Sequence, residues 1–184
     1  MNYVVTPESK HYHPPHIFQN NTIYFVSAKT ISGEHYFNTD SKKDIVKSVL
    51  SKALSKFSVS LYAWVILDNH YHLLFHLQKG EDLWKFIKNL NENSSKILNG
   101  AENKTGRKIW HQYWDYCIRN EKDFFLHFNY VHHNPVKHGY LKIQEEVADY
   151  RFCSYKSWMN KKDKEFLFDC FEKYPIKDFT IEND

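Results

Sequence analysis

The segment LDNHYHLLFHL, at residues 67–77, has the pattern of a β-strand that follows a tight turn. Its Asp-Asn pair is typical of turns, and the residues after it are aromatic, branched or apolar. Side chains alternate along a strand, so one face is apolar and the other carries His70, His72, Leu74 and His76. The imidazoles of the HYH triplet then lie roughly 6–7 Å apart, which allows both to bind one cation. Histidines on a solvated strand face would give the same pattern, so a metal site and a plain surface both fit it.

Length and composition fit one globular domain with an appended tail. The chain has 184 residues, of which 42% are hydrophobic and 17% aromatic, with only 5 Gly and 5 Pro. These values exclude a disordered or fibrous chain. A formal net charge of +3 permits a nucleic-acid partner without requiring one. Three widely spaced cysteines fit a reducing cytoplasm, and we expect neither a signal peptide nor a membrane span.

The hydrophobic pattern predicts the element order β-α-β-β-α-β. Strands are predicted at residues 22–28, 58–67, 70–77 and 115–119, and amphipathic helices at 41–57 and 82–99. We expect Asp40 to cap the first helix. This order is that of the α+β ferredoxin-like fold, one antiparallel sheet with two helices on one face. A third helix, capped by Asn120 and limited by Pro135, can lie near the other face.

The third predicted helix brings together a phenol and an amide. Tyr130 and Asn134 are four residues apart and share a helix face, with His127 and His133 near it and His132 pointing away. Together with the strand histidines, the amide oxygen completes a three-ligand site with open positions, which suits Mg²⁺ or Mn²⁺. A phenol beside such a cation is a potential nucleophile. A core-edge tyrosine and an asparagine cap before proline would explain the same residues.

The most specific signal in the chain is a set of four motifs, at residues 70–72, 110–115, 130–139 and 150–155. HYH at residues 70–72 resembles the His-hydrophobic-His motif of HUH nucleases, and YVHHNPVKHG at 130–139 resembles the tyrosine helix of single-tyrosine HUH transposases. WHQYWD at 110–115 and YRFCSY at 150–155 resemble further segments of the REP-associated tyrosine transposases (RAYTs), relatives of the transposases of the smallest bacterial insertion sequences. The resemblance covers about residues 18–158.

The chain departs from the family pattern in two places. Leu67 and Asp68 stand where the family often has Met-Pro, and Phe152 and Cys153 stand where it usually has Trp-Ser. The Asp68 carboxylate either alters the metal preference or is simply turn chemistry.

The resemblance implies a metal-dependent DNA transposase. Mg²⁺ or Mn²⁺, held by His70, His72 and Asn134, would polarise a phosphate of single-stranded DNA beside a hairpin. Tyr130 would attack in line, forming a 5′-phosphotyrosine and a free 3′-hydroxyl, so that the strand can be rejoined to another. Two rival predictions are a domesticated DNA-binding protein that has lost cleavage and a metal phosphohydrolase without a covalent step.

The resemblance also implies an organisation and a setting. It divides the chain into an N-terminal arm at residues 1–20, an HUH catalytic domain at 21–145 and a C-terminal tail at 146–184. The implied partner is single-stranded DNA with a hairpin, in the bacterial cytoplasm at the nucleoid and without membrane contact. Insertion-sequence relatives form homodimers that swap the tyrosine helix, whereas RAYTs can act as monomers, so both states are compatible with the chain.

Seven residues are candidate DNA contacts. Aromatic side chains can stack on unpaired bases, at about 1–3 kcal/mol per base, and basic side chains can contact phosphates. Each candidate has an ordinary alternative: core packing for the aromatic residues, and a solvated loop or helix end for the basic ones. The candidates are Lys104, Arg107, Lys108, Trp110, Tyr113, Trp114 and Lys137.

Overall fold

A four-stranded antiparallel sheet organises the computed structural model, which describes residue 16 and residues 18–179. The predicted N-terminal arm therefore lies almost entirely outside the described residues. The strands are β1 (Thr22–Thr30), β2 (Ser60–Ile66), β3 (His70–Leu77) and β4 (Trp110–Cys117). Their order in the sheet is β2-β3-β1-β4, and this confirms the predicted ferredoxin-like arrangement.

Two helices cover one face of the sheet. These are α1 (Asp40–Lys56) and α2 (Asp82–Ala101), and both enclose the apolar face of β3 in a first core cluster. The predicted cap of α1 is wrong by one residue, because the Thr39 hydroxyl accepts the Lys42 N–H while Asp40 is already helical. Tyr71 at the centre of this cluster is fully buried and donates its hydroxyl to Asn91.

A third helix, α3 (Glu121–Lys137), covers the other face of the sheet. It begins as predicted, because the Asn120 side chain accepts the Asp123 N–H. Its prediction to end at Pro135 is wrong: the helix continues to Lys137 and closes at Gly139, whose φ is +72°. Because α3 lies on this face, His70 and His72 are buried and do not form a solvated surface, whereas His76 is only partly buried.

The segments after α3 pack around it. They comprise a 3-10 helix (Gln144–Asp149), α4 (Tyr155–Lys161) and α5 (Lys164–Lys173), and they contribute to a second core cluster with α3 and the sheet. A bridge between Val65 and Cys153 covers the outer edge of β2. The domain boundary at residue 145 stays a prediction. In the part of the chain that the structure describes, no helix is long and apolar enough to cross a membrane.

The fourth strand begins five residues before its predicted start, at Trp110 instead of Asp115. Trp110 pairs with Thr30 across a register shift and turns into the first core cluster. Its ring stacks on Phe37 at 4.9 Å, and its indole N–H donates to the Ser94 hydroxyl at 2.9 Å. Trp110 is only 4% exposed, so its predicted stacking on a DNA base is wrong.

Candidate active site

A pocket of about 480 Å³ opens between the sheet and α3. The two central strands form its floor, where Ser27 of β1 lies opposite His72 of β3, and Lys29 lies opposite His70. Helix α3 contributes His127 and Tyr130 to the wall. The strand pairing and the helix therefore bring predicted residues that are far apart in sequence into one cavity.

Neighbouring amides fix the protonation of His70. The Asn69 amide donates from Nδ2 to the Gly33 carbonyl, so its Oδ1 faces His70 Nδ1 at 2.7 Å. His70 Nδ1 must therefore carry the proton and donate it to this oxygen. Burial lowers the pKa of His70 to about 4, despite the opposing bond to Asn134, so the ring is neutral near pH 7.

The other ring nitrogen of His70, Nε2, carries a lone pair and faces a second acceptor atom. Asn134 donates from Nδ2 to the Tyr130 carbonyl, which turns its Oδ1 toward His70 Nε2 at 3.1 Å. In a neutral ring that already donates from Nδ1, Nε2 has no proton to give. Two acceptors at this distance repel each other, and a cation between or beside them would remove that repulsion.

His72 adds a third donor atom with unmet bonding capacity. Its side chain is almost fully buried, and its Nδ1 has no hydrogen-bond partner. Its ring centroid lies 5.1 Å from that of His70. Burial, followed by the neighbouring His70, holds the pKa of His72 well below its usual value, so this imidazole is also neutral and able to ligate.

These observations fit a divalent metal at the predicted ligands. Two neutral imidazoles and one amide oxygen supply three donors and leave open positions. Among the described residues, no three His, Cys, Asp or Glu side chains cluster as a metal site. A site at this position therefore depends on the amide of Asn134 as its third ligand.

Tyr130 lies against the proposed ligands within the same chain. Its ring contacts that of His72 at 5.1 Å, edge to face, and that of Phe25 at 5.9 Å. The ammonium of Lys137 lies 5.1 Å from the centre of the Tyr130 ring and pairs with Asp178 at 2.6 Å. The Tyr130 ring therefore lines a pocket whose other residues come from the same polypeptide.

His127 forms part of the same wall, one turn before Tyr130. Its Nδ1 donates to the Asp123 carbonyl at 2.8 Å, and the Asp123 carboxylate lies 3.2 Å away. Burial lowers the pKa of His127, although Asp123 opposes this shift. His132 points away, as predicted, to Ser154. His133 bonds to Gln144 and is not among the residues that line this pocket.

A comparison with known families agrees with this geometry. A family model described as "Transposase IS200 like" matches residues 20–134. The chain belongs to the IS200-like transposases. Two curated relatives extend the comparison. A REP-associated tyrosine transposase of Escherichia coli K12 is 34% identical over 98 residues, which are 50% of this chain and 52% of the relative. The chain thus spans about half of that protein.

The second relative is aligned over a longer stretch. It comes from Haemophilus influenzae, is provisionally named a REP-associated tyrosine transposase, and is 28% identical over 145 residues, 67% of this chain and 80% of its own. Among solved structures, a REP-associated tyrosine transposase bound to a REP hairpin aligns over 94% of each chain, with a TM-score of 0.66 and 22% identity. This structural match shows the shared fold, and the predicted resemblance is confirmed.

The predicted DNA contacts of this IS200-like transposase occupy different places. Trp114 lines the pocket. Tyr113 is half-buried against the first core cluster, and its ring stacks on His16 at 4.6 Å. Arg107 bonds to Glu102 and Asn99, so its guanidinium already has partners within the fold. The two loop lysines, Lys104 and Lys108, are exposed and outside the pocket.

Sequence reasoning missed several pocket residues. Phe25, Ser27 and Lys29 alternate with the apolar core residues of β1. Two polar side chains, Ser27 and Lys29, on a central strand could have indicated a site from the sequence.

Asp68, the carboxylate by which the chain departs from the family pattern, forms an ion pair with Lys43 at 2.7 Å. Burial raises the pKa of Asp68, but Lys43 outweighs this and the pKa is lowered overall.

Proposed function

We propose that this IS200-like transposase cleaves and rejoins single-stranded DNA through a covalent bond to Tyr130. The observation that carries this proposal is the contact between the Tyr130 ring and His72, beside two facing acceptors on His70 and Asn134. Phosphoryl transfer needs a nucleophile next to a site that can withdraw charge from the phosphate. The family membership and the hairpin-bound relative of the same fold support this choice of reaction class.

The proposed roles follow from the positions of the residues. His70, His72 and Asn134 would hold Mg²⁺ or Mn²⁺, which when bound withdraws charge from the scissile phosphate. Asn69 keeps the His70 lone pair directed at the site. Lys29 lies at the pocket and would attract the DNA backbone.

The proposed reaction exchanges one phosphodiester for another. The Tyr130 hydroxyl oxygen attacks phosphorus and loses its proton, while the bond from phosphorus to the 3′-oxygen breaks. The 3′-oxygen takes up a proton and leaves as a hydroxyl, and the 5′-phosphate stays on Tyr130. Attack by another strand's 3′-hydroxyl reverses these steps and releases the tyrosine. Because no water is consumed, the bond remains available for strand transfer.

The pocket favours an unpaired strand as the substrate. Its volume, about 480 Å³, is that of a small-molecule site, and its walls are largely aromatic. An unpaired nucleotide can enter such a cavity, whereas a duplex presents its phosphates on a much broader surface. We propose that a hairpin supplies recognition and that the adjacent single strand enters the pocket.

Covalent capture tests this proposal. The protein is incubated with Mn²⁺ and a library of hairpin oligonucleotides with random single-stranded flanks, and adducts that survive SDS are sequenced. Wild type is expected to form an adduct, and Tyr130→Phe is expected to form none while still binding DNA. Tyr62→Phe removes a hydroxyl from β2, away from the pocket, and is expected to behave as wild type.

Two other outcomes would contradict the proposal. DNA binding by wild type without any adduct would favour a DNA-binding protein that has lost cleavage. Cleavage that persists in Tyr130→Phe would favour hydrolysis by water without a covalent step.

A further inference from the structure

A second cavity, of about 300 Å³, adjoins the pocket that contains Tyr130. The two cavities share three wall residues, Asn69, His70 and His138, and the rings of His70 and His138 lie 4.6 Å apart. The walls that belong to the second cavity alone come from His35, Asp68, Gly139 and Tyr140. His70, a proposed metal ligand, therefore stands where the two cavities meet.

The second cavity has room for one small group and a polar lining. Its volume is at the lower limit of small-ligand pockets, which measure about 300–1,000 Å³. Gly139 contributes to this room, because nothing lies within 4 Å of the position that a side chain would take there. Whereas Phe25, Trp114 and Tyr116 give the first pocket aromatic walls, the second contains a carboxylate.

That carboxylate, of Asp68, is held in place. The Asp68 N–H donates to the Tyr140 hydroxyl at 3.1 Å, and the Asp68 carbonyl accepts the Phe37 N–H at 2.8 Å. Lys43 pairs with Oδ1 at 2.7 Å, and Oδ2 makes a long contact, 3.5 Å, with the exposed ring of His35. A carboxylate can accept about four hydrogen bonds, so this one keeps capacity for a further donor.

A fixed group that accepts hydrogen bonds and donates none selects among nucleobases. Adenine, cytosine and guanine each carry an exocyclic amino group that donates, whereas thymine carries carbonyl oxygens and a methyl group instead. Unpaired bases present these groups to protein side chains. A carboxylate binds an amino group and repels a carbonyl oxygen. The lining of the second cavity therefore fits a base with an exocyclic amino group and disfavours thymine.

We propose that the second cavity is a subsite for the base next to the scissile phosphate, and that Asp68 selects an amino-bearing base there. The inference rests on the proposed function, because a phosphate bound beside His70 sets the register of the strand. From that phosphate the strand continues into the pocket of Tyr130 on one side and into the second cavity on the other. Asp68 departs from the family pattern, so the preference belongs to this chain.

A binding selection tests the subsite without cleavage. All proteins carry Tyr130→Phe, Mn²⁺ is present, and the bound members of a library of hairpins with random single-stranded flanks are sequenced. The protein with Asp68 is expected to enrich amino-bearing bases over thymine about tenfold at one flank position. Asp68→Asn is expected to lose this preference at that position alone, because an amide both donates and accepts.

The matched control is Asp44→Asn. Asp44 is also paired with a basic side chain, that of Arg151, but it lines neither cavity. This variant is expected to keep the base preference of the protein with Asp68. Loss of the preference in Asp44→Asn as well would show that the effect comes from net charge, and would contradict the subsite.

A change in the DNA tests the same contact with the protein unchanged. In a selected sequence, the preferred base is replaced by its analogue without the amino group, for example adenine by purine. The protein with Asp68 is expected to bind this DNA about tenfold more weakly. Equal affinity, no base preference at any flank position, or a preference that Asp68→Asn retains would overturn the subsite. Failure of covalent capture, by contrast, would refute the proposed cleavage and leave these binding results standing.

Discussion

At the scale of single residues, the site depends on where protons lie. His70 Nδ1 is hydrogen-bonded to Asn69, so only its Nε2 is available to bind a cation. The Asn134 amide is oriented by the hydrogen bond that it donates to the Tyr130 carbonyl. Such outer partners keep ligands neutral, correctly turned and rigid. The proposed chemistry of the pocket therefore extends to residues that would not touch the proposed metal.

Removal of one such partner tests this dependence. Asn69→Ala is expected to weaken Mn²⁺ binding about 10- to 100-fold, because His70 then loses its fixed tautomer and orientation. Isothermal titration calorimetry measures the affinity. His76→Ala is the matched control, because His76 lies on β3 with His70 but bonds to Asn21 outside the pocket. Equal affinities of the two variants would contradict the role of Asn69.

The sequence predicts the site residues better than their surroundings. Alternation along β3 and the four-residue spacing on α3 are local rules, and they placed His70, His72, Tyr130 and Asn134 on facing surfaces. Phe179 also lines the pocket, but its position depends on how the tail folds back, which no local pattern encodes. Trp110 was misplaced for a related reason: an aromatic ring suits a core and a binding surface equally well, and only tertiary packing decides between them.

At the scale of elements, α3 carries most of the site and has an unusual end. Proline removes one N–H and disfavours helix before it, which is why the sequence predicted a stop at Pro135. The helix tolerates Pro135 because only two helical residues, Val136 and Lys137, follow it. His138 and Tyr140 still donate their N–H groups to the carbonyls of Asn134 and Pro135. Gly139 then reverses the chain with a positive φ.

This helix end predicts a difference between two glycines. Gly139→Ala is expected to lower the free energy of unfolding by about 1–2 kcal/mol, because a Cβ disfavours its left-handed backbone. Gly100→Ala, inside α2 with open space around it, is expected to be neutral or to stabilise by up to about 1 kcal/mol. Urea denaturation followed by circular dichroism measures both. A Gly139→Ala protein as stable as wild type would show that the helix end is not held in this conformation.

At the scale of the whole molecule, one chain contains every component of the candidate site. Tyr130 contacts His72 of the same polypeptide, so a swapped helix is not needed to assemble the pocket. This geometry makes a prediction about mixtures of inactive variants.

Tyr130→Phe and His72→Ala are each expected to form no covalent adduct with DNA. Their mixture is also expected to form none, because neither chain contains both a nucleophile and a complete ligand set. Adduct formation is followed by gel electrophoresis in SDS, with wild type at the same concentration as the reference. Recovered adduct in the mixture would show that the tyrosine helix serves a partner's site.

The position of the histidines in the sheet also determines how the site moves. Strands β1 and β3 are the two central strands, each paired on both sides, and amides in such strands exchange with solvent only when large parts of a fold open. The segment that carries Phe179 has no ladder to hold it, so its amides are exposed to exchange in small local openings. We therefore expect slow amide exchange on the strands that form the pocket floor and fast exchange in residues 175–179. The side chains of His70 and His72 should keep their positions until large parts of the fold open.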